Sequence, residues 1–514
     1  MTNRRLFLTY AASLAAMPYL GRGETTQAAP KFQNNPFSLG VASGDPDHES
    51  VVLWTRLAPE PLVDGGGMPA HAVDVRWELA DDEAFSKNVK SGSSIATPKL
   101  GHSVHVTPEG LAADRWYFYR FHCGSHTSAV GRTRTMPLPD AKPDKLVMAV
   151  TSCQNYEQGY FTAYEQMIAD APDLVFHLGD YIYEYAEGTN GKIRKVKGPE
   201  TESIEDYRQR YAIARMDPLL QKMHATCPWF LTWDDHEVDN NYANDISERT
   251  NVKAAQLLVR RANAYQVYYE MMPLRESSLP HGPNMDLYRR ASFGRLAEFH
   301  ILDTRQYRSD QPNKDGRDPL NDAAFNPRNT LLGDTQRQWL FNNLSKSTGT
   351  WNVLAQQVMM GMHGHAKKDS EAIYSMDAWT GYAAERESLL KFISDRKVAN
   401  PIVLTGDVHR HWANELRLDD RKHDQAIVAS EFIATSLSSG GDGSEKLKGI
   451  EALMAYNPGI KYNNSQRGYL RCTLTPEKYQ TDFMVIDKVT SLGGKTTKHA
   501  TYSVLAGNPA VVEG

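Results

Sequence analysis

The sequence predicts an α/β catalytic core behind a small β-sandwich, and three observations carry that prediction. Residues 37 to 138 form a series of short runs rich in branched and aromatic residues, separated by Gly- and Asp-rich turns. From Lys145 the pattern changes to short apolar runs alternating with polar tips and helix-like stretches, as in α/β proteins. Almost every apolar run of this second part ends in a cluster of Asp, His, Asn or Gln. In open α/β sheets ligands bind beyond the carboxyl ends of the strands, so residues scattered over the chain can converge on one site.

The chain begins with a targeting segment, residues 1 to 29. Paired Arg4 and Arg5 precede Leu6, Phe7 and Leu8, and a mild apolar run follows from Thr9 to Leu20. The run is shorter than the ~20 residues that cross a bilayer, and its basic start and small-residue end read as an export signal. The arginine pair resembles the twin-arginine signature, with cleavage expected after Ala28 or Ala29. The expected partner is therefore the twin-arginine export machinery, and the expected location is periplasmic or secreted. That route carries folded proteins, often with cofactor inserted, which points to a metal loaded inside the cell. No other apolar stretch is long enough to span a membrane.

The β region reads through Val51 to Thr55, Val73 to Leu79, Ser103 to Val106 and Trp116 to Phe121. Met136 to Asp140 reads as a linker. The catalytic domain, 145 to 490, opens with Leu146 to Thr151, then Ser152-Cys153-Gln154-Asn155, a helix from Phe161 to Asp170, and Leu174 to Leu178 ending at Gly179-Asp180. Further strands are Trp229 to Trp233, Ala297 to Leu302, Trp351 to Ala355 and Ile402 to Thr405. Residues 440 to 465 are Gly- and Asn-rich and are expected to be loop.

Composition narrows the function. Lys plus Arg is 57 against 62 Asp plus Glu, a net charge of −5, so the chain has no general pull on nucleic acid or anionic lipid. Any phosphate must be held locally; no specific nucleic acid partner is expected, and a monomer is. The four cysteines, at 123, 153, 227 and 472, make neither CxxC nor a disulfide framework. Cys123, Cys227 and Cys472 read as structural, with a pair among them open to an exported protein.

Four strand-end clusters carry the chemistry: Ser152 to Asn155; Gly179-Asp180-Tyr181-Ile182-Tyr183; Trp233 to Asn241; and Gly406-Asp407-Val408-His409-Arg410-His411. They have the logic of a two-metal hydrolase. Phosphate esters repel hydroxide, and two neighbouring cations neutralise the phosphate and generate the nucleophile. Asp180 suits the bridge between them. Tyr183 as phenolate and Cys153 as thiolate select a strong Lewis acid such as Fe³⁺, with His409 completing that sphere. Asp180, Asp235 and Asp407 favour a harder ion, Ca²⁺ with Mn²⁺ or Mg²⁺ as alternatives.

These motifs resemble the metallophosphoesterase superfamily, and within it the PhoD alkaline phosphatase family. The matches are Ser-Gly-Asp-Pro at 43 to 46, Val-Leu-Trp-Thr-Arg at 52 to 56, Gly179 to Tyr183, Asp234-Asp235-His236-Glu237, Leu302 to Arg308 and Leu404 to His409. The resemblance implies an α/β/β/α two-sheet sandwich and an exported phosphohydrolase acting by a metal-bound hydroxide on phosphomonoesters and phosphodiesters, for phosphate acquisition. It implies Cys153, Asp180, Tyr183, Asp235, Asp407 and His409 as metal ligands, one Fe³⁺ with one or two Ca²⁺, and His236 assisting the leaving group. Asp235 and Asp407 stand where the superfamily pattern has Asn and His, which makes the second site more anionic. A further Ca²⁺ ascribed to the family draws attention to Asn240 and Asn241, and Gln357 or Gln356 lies where the superfamily often has a metal-binding histidine.

Arg305, following Asp303 at a strand end, is expected to clamp phosphate, with Arg308 as a second contact. His363 and His365 read as loop residues near the cleft, His411 as supporting, and Tyr181 and Tyr185 as core or rim. A narrower reading keeps the metals and restricts the substrate to phosphodiesters, as in a phospholipase D-like or nuclease-like enzyme. A polymer-binding protein with an inert core is disfavoured by the intact ligand set. Substrate choice is expected to lie in the loops 186 to 230 and 306 to 335.

Overall fold

The computed structural model describes residues 31–366 and 371–514. The export segment therefore lies outside the described residues. The N-terminal part contributes β1 (Val41–Gly44), β2 (Val52–Arg56), β3 (Val73–Ala80), β4 (Lys90–Ala96), β5 (Ser103–Val106), β6 (Trp116–Cys123), β7 (His126–Thr127) and β8 (Gly131–Arg134). After it come β9 (Leu146–Thr151), β10 (Leu174–Leu178), β11 (Trp229–Thr232), β12 (Arg289–Phe293), β13 (Ala297–Ile301), β14 (Arg317–Asp318), β15 (Trp351–Ala355), β16 (Tyr374–Ser375) and β17 (Pro401–Thr405). The chain closes with β18 (His411–Leu416), β19 (Ala429–Ile433), β20 (Ile460–Asn464), β21 (Arg467–Leu474), β22 (Lys478–Ile486), β23 (Thr496–Leu505) and β24 (Asn508–Glu513).

Two sheets face each other. One has ten strands in the order β24-β23-β22-β21-β9-β10-β11-β1-β2-β5, and the other seven in the order β12-β13-β15-β17-β19-β18-β20. The central strands β9, β10 and β11 are parallel, as are β13, β15, β17 and β19. These strands are apolar on both faces because both faces are covered. Phe176, Phe230, Phe299, Phe432 and Phe483 pack between the sheets with Val150, Val353 and Leu404. Helices Ala163–Ala169, Ile204–Arg215, Pro218–His224 and Ala254–Met271 are on the chain carrying the outer cluster of Tyr164, Tyr211, Tyr265, Trp229 and Trp233. Helices Gly333–Leu344 and Ala383–Asp395 cover the second sheet through Leu340, Leu344, Leu389 and Ile393. The layering is α/β/β/α.

Three features differ from the sequence reading. The N-terminal sandwich, expected as a separate unit over 37–138, keeps only β3, β4, β6, β7 and β8 in a sheet of its own. Its other layer, β1, β2 and β5, is the end of the ten-stranded sheet, because β1 pairs with β11 in parallel at Gly44↔Trp229. Gly44 permits this approach: a Cβ there would lie 2.9 Å from the Trp229 carbonyl oxygen and 2.5 Å from that of Pro273. The 440–465 stretch, expected as loop, holds the helix Ile450–Tyr456 and strand β20. The sheet also runs on past residue 490, where the catalytic domain was expected to end, through β23 and β24. All four cysteines are buried and free, so no pair forms among Cys123, Cys227 and Cys472.

Candidate metal centre

Parallel strands in register end side by side, and the chain turns sharply at each end. Cys153 lies two residues past β9, Asp180 two past β10, Asp235 three past β11 and Asp407 two past β17. Cys153, Asp180, Asp407 and His409 all adopt left-handed backbone, with φ of 57°, 57°, 60° and 52°. Such conformations disfavour residues with a Cβ and concentrate at functional sites. Here they turn each side chain out of the strand direction and into the shared crevice. Gly179 (φ 102°) and Gly406 make room: a Cβ on the first would lie 2.4 Å from Asp234 N, and on the second 2.8 Å from Ser152 Oγ.

Three sets of donor atoms result, each lying within 4.8 Å of one another: Cys153, Asp180 and His409; Asp180, Asp235 and His236; and Asp234, Asp235 and Asp407. Asp180 belongs to two of them, the position expected of a bridging carboxylate. Tyr183 joins the first, its hydroxyl 2.8 Å from Asp180 Oδ2 and 3.1 Å from His409 Nε2. The structure thus brings together all six residues expected as ligands.

The electrostatics call for cations. Asp180 Oδ1, Asp234 Oδ2 and Asp235 Oδ1 are buried and accept no hydrogen bond, whereas buried polar atoms are normally satisfied. Burial raises the Asp234 carboxyl well above the usual range, assisted by Asp235, Asp180 and Asp407 against Arg305. Asp407 is pushed up to about 8, first by burial and then, against Arg305, by Asp377, Asp235 and Asp180. Asp180 goes the other way: burial would raise it, but His236, His409 and Tyr183 hold it well below the usual carboxylate range. The donor set, with thiol, phenol, imidazole and crowded carboxylates, suits metal ions.

His236 is fixed by a residue that sequence reading passed over. Glu184, fully buried, takes His236 Nδ1 at 2.8 Å and accepts from Asn240 N at 3.1 Å. Nε2 is left for the cluster. Burial would depress the imidazole, but Glu184, Asp235 and Asp180 raise it well above its usual value. Other unpredicted members are Asp234, Glu237, Asp377 and Ser439. Glu237 accepts the backbone N–H groups of Asp180 (3.0 Å), Tyr181 (2.6 Å) and Asp234 (2.8 Å), pinning two strand ends together. Ser439 Oγ lies 2.8 Å from the Tyr183 hydroxyl and 2.7 Å from the Cys153 carbonyl. Asp234 and Glu237 stand inside a quoted motif, and Glu184 directly follows Tyr183; position beside a ligand was the signal available.

Several expected contacts have other work. Arg305, expected to clamp phosphate, is turned to carboxylates, and its Nη2 is left without a hydrogen bond. It is fully buried, its Nε bonded to Asp234, its Nη1 3.0 Å from Asp377, and its Nη2 3.5 and 3.6 Å from Asp235 and Asp407. It is the counter-cation of the acidic half. Arg308, equally buried, pairs with Asp377 and reaches the Asn241 carbonyl at 3.2 Å. Gln357 is no ligand: its amide is used up by Thr304 N and Oγ1, Thr232 Oγ1 and the Leu302 carbonyl. Asn240 turns to Tyr185 and Glu248. Asn241 gives its N–H to Asp235 (2.8 Å) and its side-chain amide to Asp315 (2.8 Å). His411 is buried between the Ile433 and Met484 carbonyls, and Tyr181 is core, bonded to His224.

Comparison with known proteins agrees with this geometry. The sequence pattern of the family described as PhoD-like phosphatase matches residues 148–483, and that of its N-terminal domain matches residues 23–137. The chain is 49% identical over 511 residues to alkaline phosphatase D of Bacillus subtilis (strain 168), covering 97% of this chain and 87% of the relative. A solved structure titled "Structure of PhoD" superposes with a TM-score of 0.92 at 48% identity, covering 94% of this chain and 93% of that one. The chain belongs to the PhoD-like phosphatase family and is a phosphoric ester hydrolase built around a metal centre.

Proposed function

We propose that this enzyme hydrolyses phosphomonoesters and phosphodiesters for phosphate acquisition outside the cytoplasm. The observation that carries the reading is the pair of donor sets sharing Asp180, with buried carboxylate oxygens that accept no hydrogen bond. Cys153, Asp180, Tyr183 and His409 would hold Fe³⁺; Asp180, Asp235 and Asp407 would hold Ca²⁺. When bound, such ions supply Lewis acidity towards the phosphoryl group and lower the pKa of an attacking water. The chain's own residues do the rest. Glu184 holds His236 in one orientation and favours its protonated form, the form that can pass a proton to the departing alkoxide. Arg305 holds the acidic residues in register. Export through the twin-arginine route is part of the proposal; among the described residues no helix is long and apolar enough to cross a membrane.

The test is metal analysis of the purified protein alongside p-nitrophenyl mono- and diesters. Iron with a visible phenolate band, calcium removable by EGTA with loss of activity, and turnover of both esters are expected. A colourless, iron-free active enzyme defeats the iron assignment. Cleavage of diesters alone favours the narrower phosphodiesterase.

A further inference from the structure

Cys153 and Tyr183 are both held by a turn that follows β19, Ser436-Leu437-Ser438-Ser439. Its three serines are fully buried. Leu437 N donates to the Ser152 carbonyl at 2.9 Å, and Ser438 N and Ser439 N to the Cys153 carbonyl at 3.4 and 3.3 Å. Ser438 Oγ donates to the Asn155 carbonyl at 2.9 Å, and Asn155 N donates to Ser439 Oγ at 3.1 Å. The same Ser439 hydroxyl lies 2.8 Å from that of Tyr183. The turn thus grips the Cys153 loop with its backbone and meets the Tyr183 ring with one side chain.

The sequence gives this turn little stiffness of its own. Gly440, Gly441 and Gly443 follow it, all in left-handed backbone with φ of 87°, 66° and 72°. Glycine reaches such conformations without strain but has the most freedom to lose when it is ordered. A contact from outside the turn has to hold it.

Arg467 supplies that contact. It opens β21 and is 4% exposed. β21 runs antiparallel to β9 with Leu470 opposite Val150, and this register continued for three residues brings Arg467 level with Cys153. Arg467 Nη1 donates to Ser436 Oγ at 2.5 Å and to the Ser439 carbonyl, and Nη2 donates to the Ser465 carbonyl. The next residue, Gly468, donates its N–H to the Ser436 carbonyl at 3.2 Å. Gly443 makes room for the fork: a Cβ there would lie 2.7 Å from Nη2. All three acceptors of the guanidinium are uncharged, so what it contributes is a rigid plane of donors that spans both ends of the turn. From Arg467 the chain of contacts to the Tyr183 hydroxyl is one residue long, through Ser439.

We propose that Arg467 is a positioning residue for the Cys153–Tyr183 half of the centre, clamping the 436–439 turn so that Ser439 meets the Tyr183 hydroxyl and the Cys153 loop is held ready for its ion. The proposal rests on the Fe³⁺ assignment made above and deepens it. The acidic half draws on other partners: Arg305 lies beside Asp235 and Asp407, and Asn241 N bonds Asp235. The effect of losing Arg467 therefore falls on one half.

The experiment compares the metal-loaded wild type with R467M, R467K and S436A by three readouts: iron content, the visible band of the proposed tyrosine-bound Fe³⁺, and chelator titration of iron and of Ca²⁺. R467M is close in length but uncharged and has no donors. It should hold iron roughly 10–100-fold more weakly, the usual effect of losing a contact that supports metal ligands. Its band should move, and its Ca²⁺ affinity should stay at the wild-type value. R467K keeps the charge without the fork and should fall between the two. S436A removes one acceptor of the clamp and should shift the band by less. Wild-type iron affinity and an unmoved band in R467M overturn the proposal. So does a loss that falls equally on iron and Ca²⁺, which would mark Arg467 as a general support of the fold. If R467M does not fold, R467K and S436A decide: an unmoved band and unchanged iron affinity in both overturn it. An active wild type that is colourless and iron-free removes the Fe³⁺ assignment instead, and the proposal with it.

Discussion

The two halves of the centre meet at Asp180 and manage charge in opposite ways. On one side the Tyr183 hydroxyl is hydrogen-bonded with Asp180, His409 and Ser439, and Ser439 reaches on to the Cys153 carbonyl. On the other, Asp234, Asp235 and Asp407 are pressed together around one guanidinium, that of Arg305. The first half is arranged by its own contacts. The second is a concentration of like charge that one cation only partly offsets, and it has the most to gain from a divalent ion.

Five substitutions probe that contrast. The largest effect is expected from Asp180→Asn, which keeps shape but removes the charge shared by both halves. Metal content should fall for both ions together and hydrolysis should drop to background. A variant that kept one ion at full occupancy would show the halves to be independent. Next comes His236→Ala, which should keep its metals and lose ~10²–10⁴-fold in rate on alkyl phosphates, the usual worth of a general acid. Because p-nitrophenolate departs unassisted, the loss on p-nitrophenyl esters should be smaller. Equal losses on both would mean that His236 positions phosphate. Glu184→Gln should reproduce this leaving-group dependence at roughly 10–100-fold, as supporting residues do.

Arg305→Met tests the acidic half alone. Leaving buried carboxylates without their cation typically costs about 3–5 kcal/mol. The metal-free variant should therefore melt well below the metal-free wild type, and added Ca²⁺ should recover more melting temperature in the variant. Equal recovery would mean that Arg305 does not balance the carboxylates an ion would meet. The smallest effect belongs to Ser439→Ala, about 0.5–1.5 kcal/mol. It should shift the absorption band that the proposed tyrosine-bound Fe³⁺ would give and leave the dependence on the proposed Ca²⁺ alone; an unmoved band would remove Ser439 from that half.

Legibility followed burial. Strands such as Leu174–Leu178 and Pro401–Thr405 were readable to within a residue because parallel strands covered on both faces are plain apolar runs. Strand β22, Lys-Tyr-Gln-Thr-Asp-Phe-Met-Val-Ile, mixes polar and apolar positions and escaped notice. The helix Ile450–Tyr456 was hidden by its Gly-rich approach, since it starts from a left-handed Gly449. The strand-end side chains that gather in the centre were readable because metal chemistry restricts the residue types that can serve it. Glu184, Asp377 and Ser439 were not, since an acid or hydroxyl acquires its role only from what it faces, here His236, Arg305 and Tyr183. Arg305 shows the converse: a cation at a strand end reads as a phosphate contact, and the carboxylates it balances come into view only in the fold.

The seam between β1 and β11 has a consequence for how this chain can be divided. Withdrawing β1 from β11 would uncover the Trp229 carbonyl, which accepts from Asp45 N, and turn β11 into the rim of the sheet, and unpaired sheet edges are templates on which chains associate. The same cut would strip Trp54 from its hydrogen bond to the Glu270 carbonyl, and His105 from the Tyr269 and Met272 carbonyls at the end of the long helix. The N-terminal part is therefore less an appended module than a selvedge, the finished border that keeps the enzyme's fabric from catching on its neighbours.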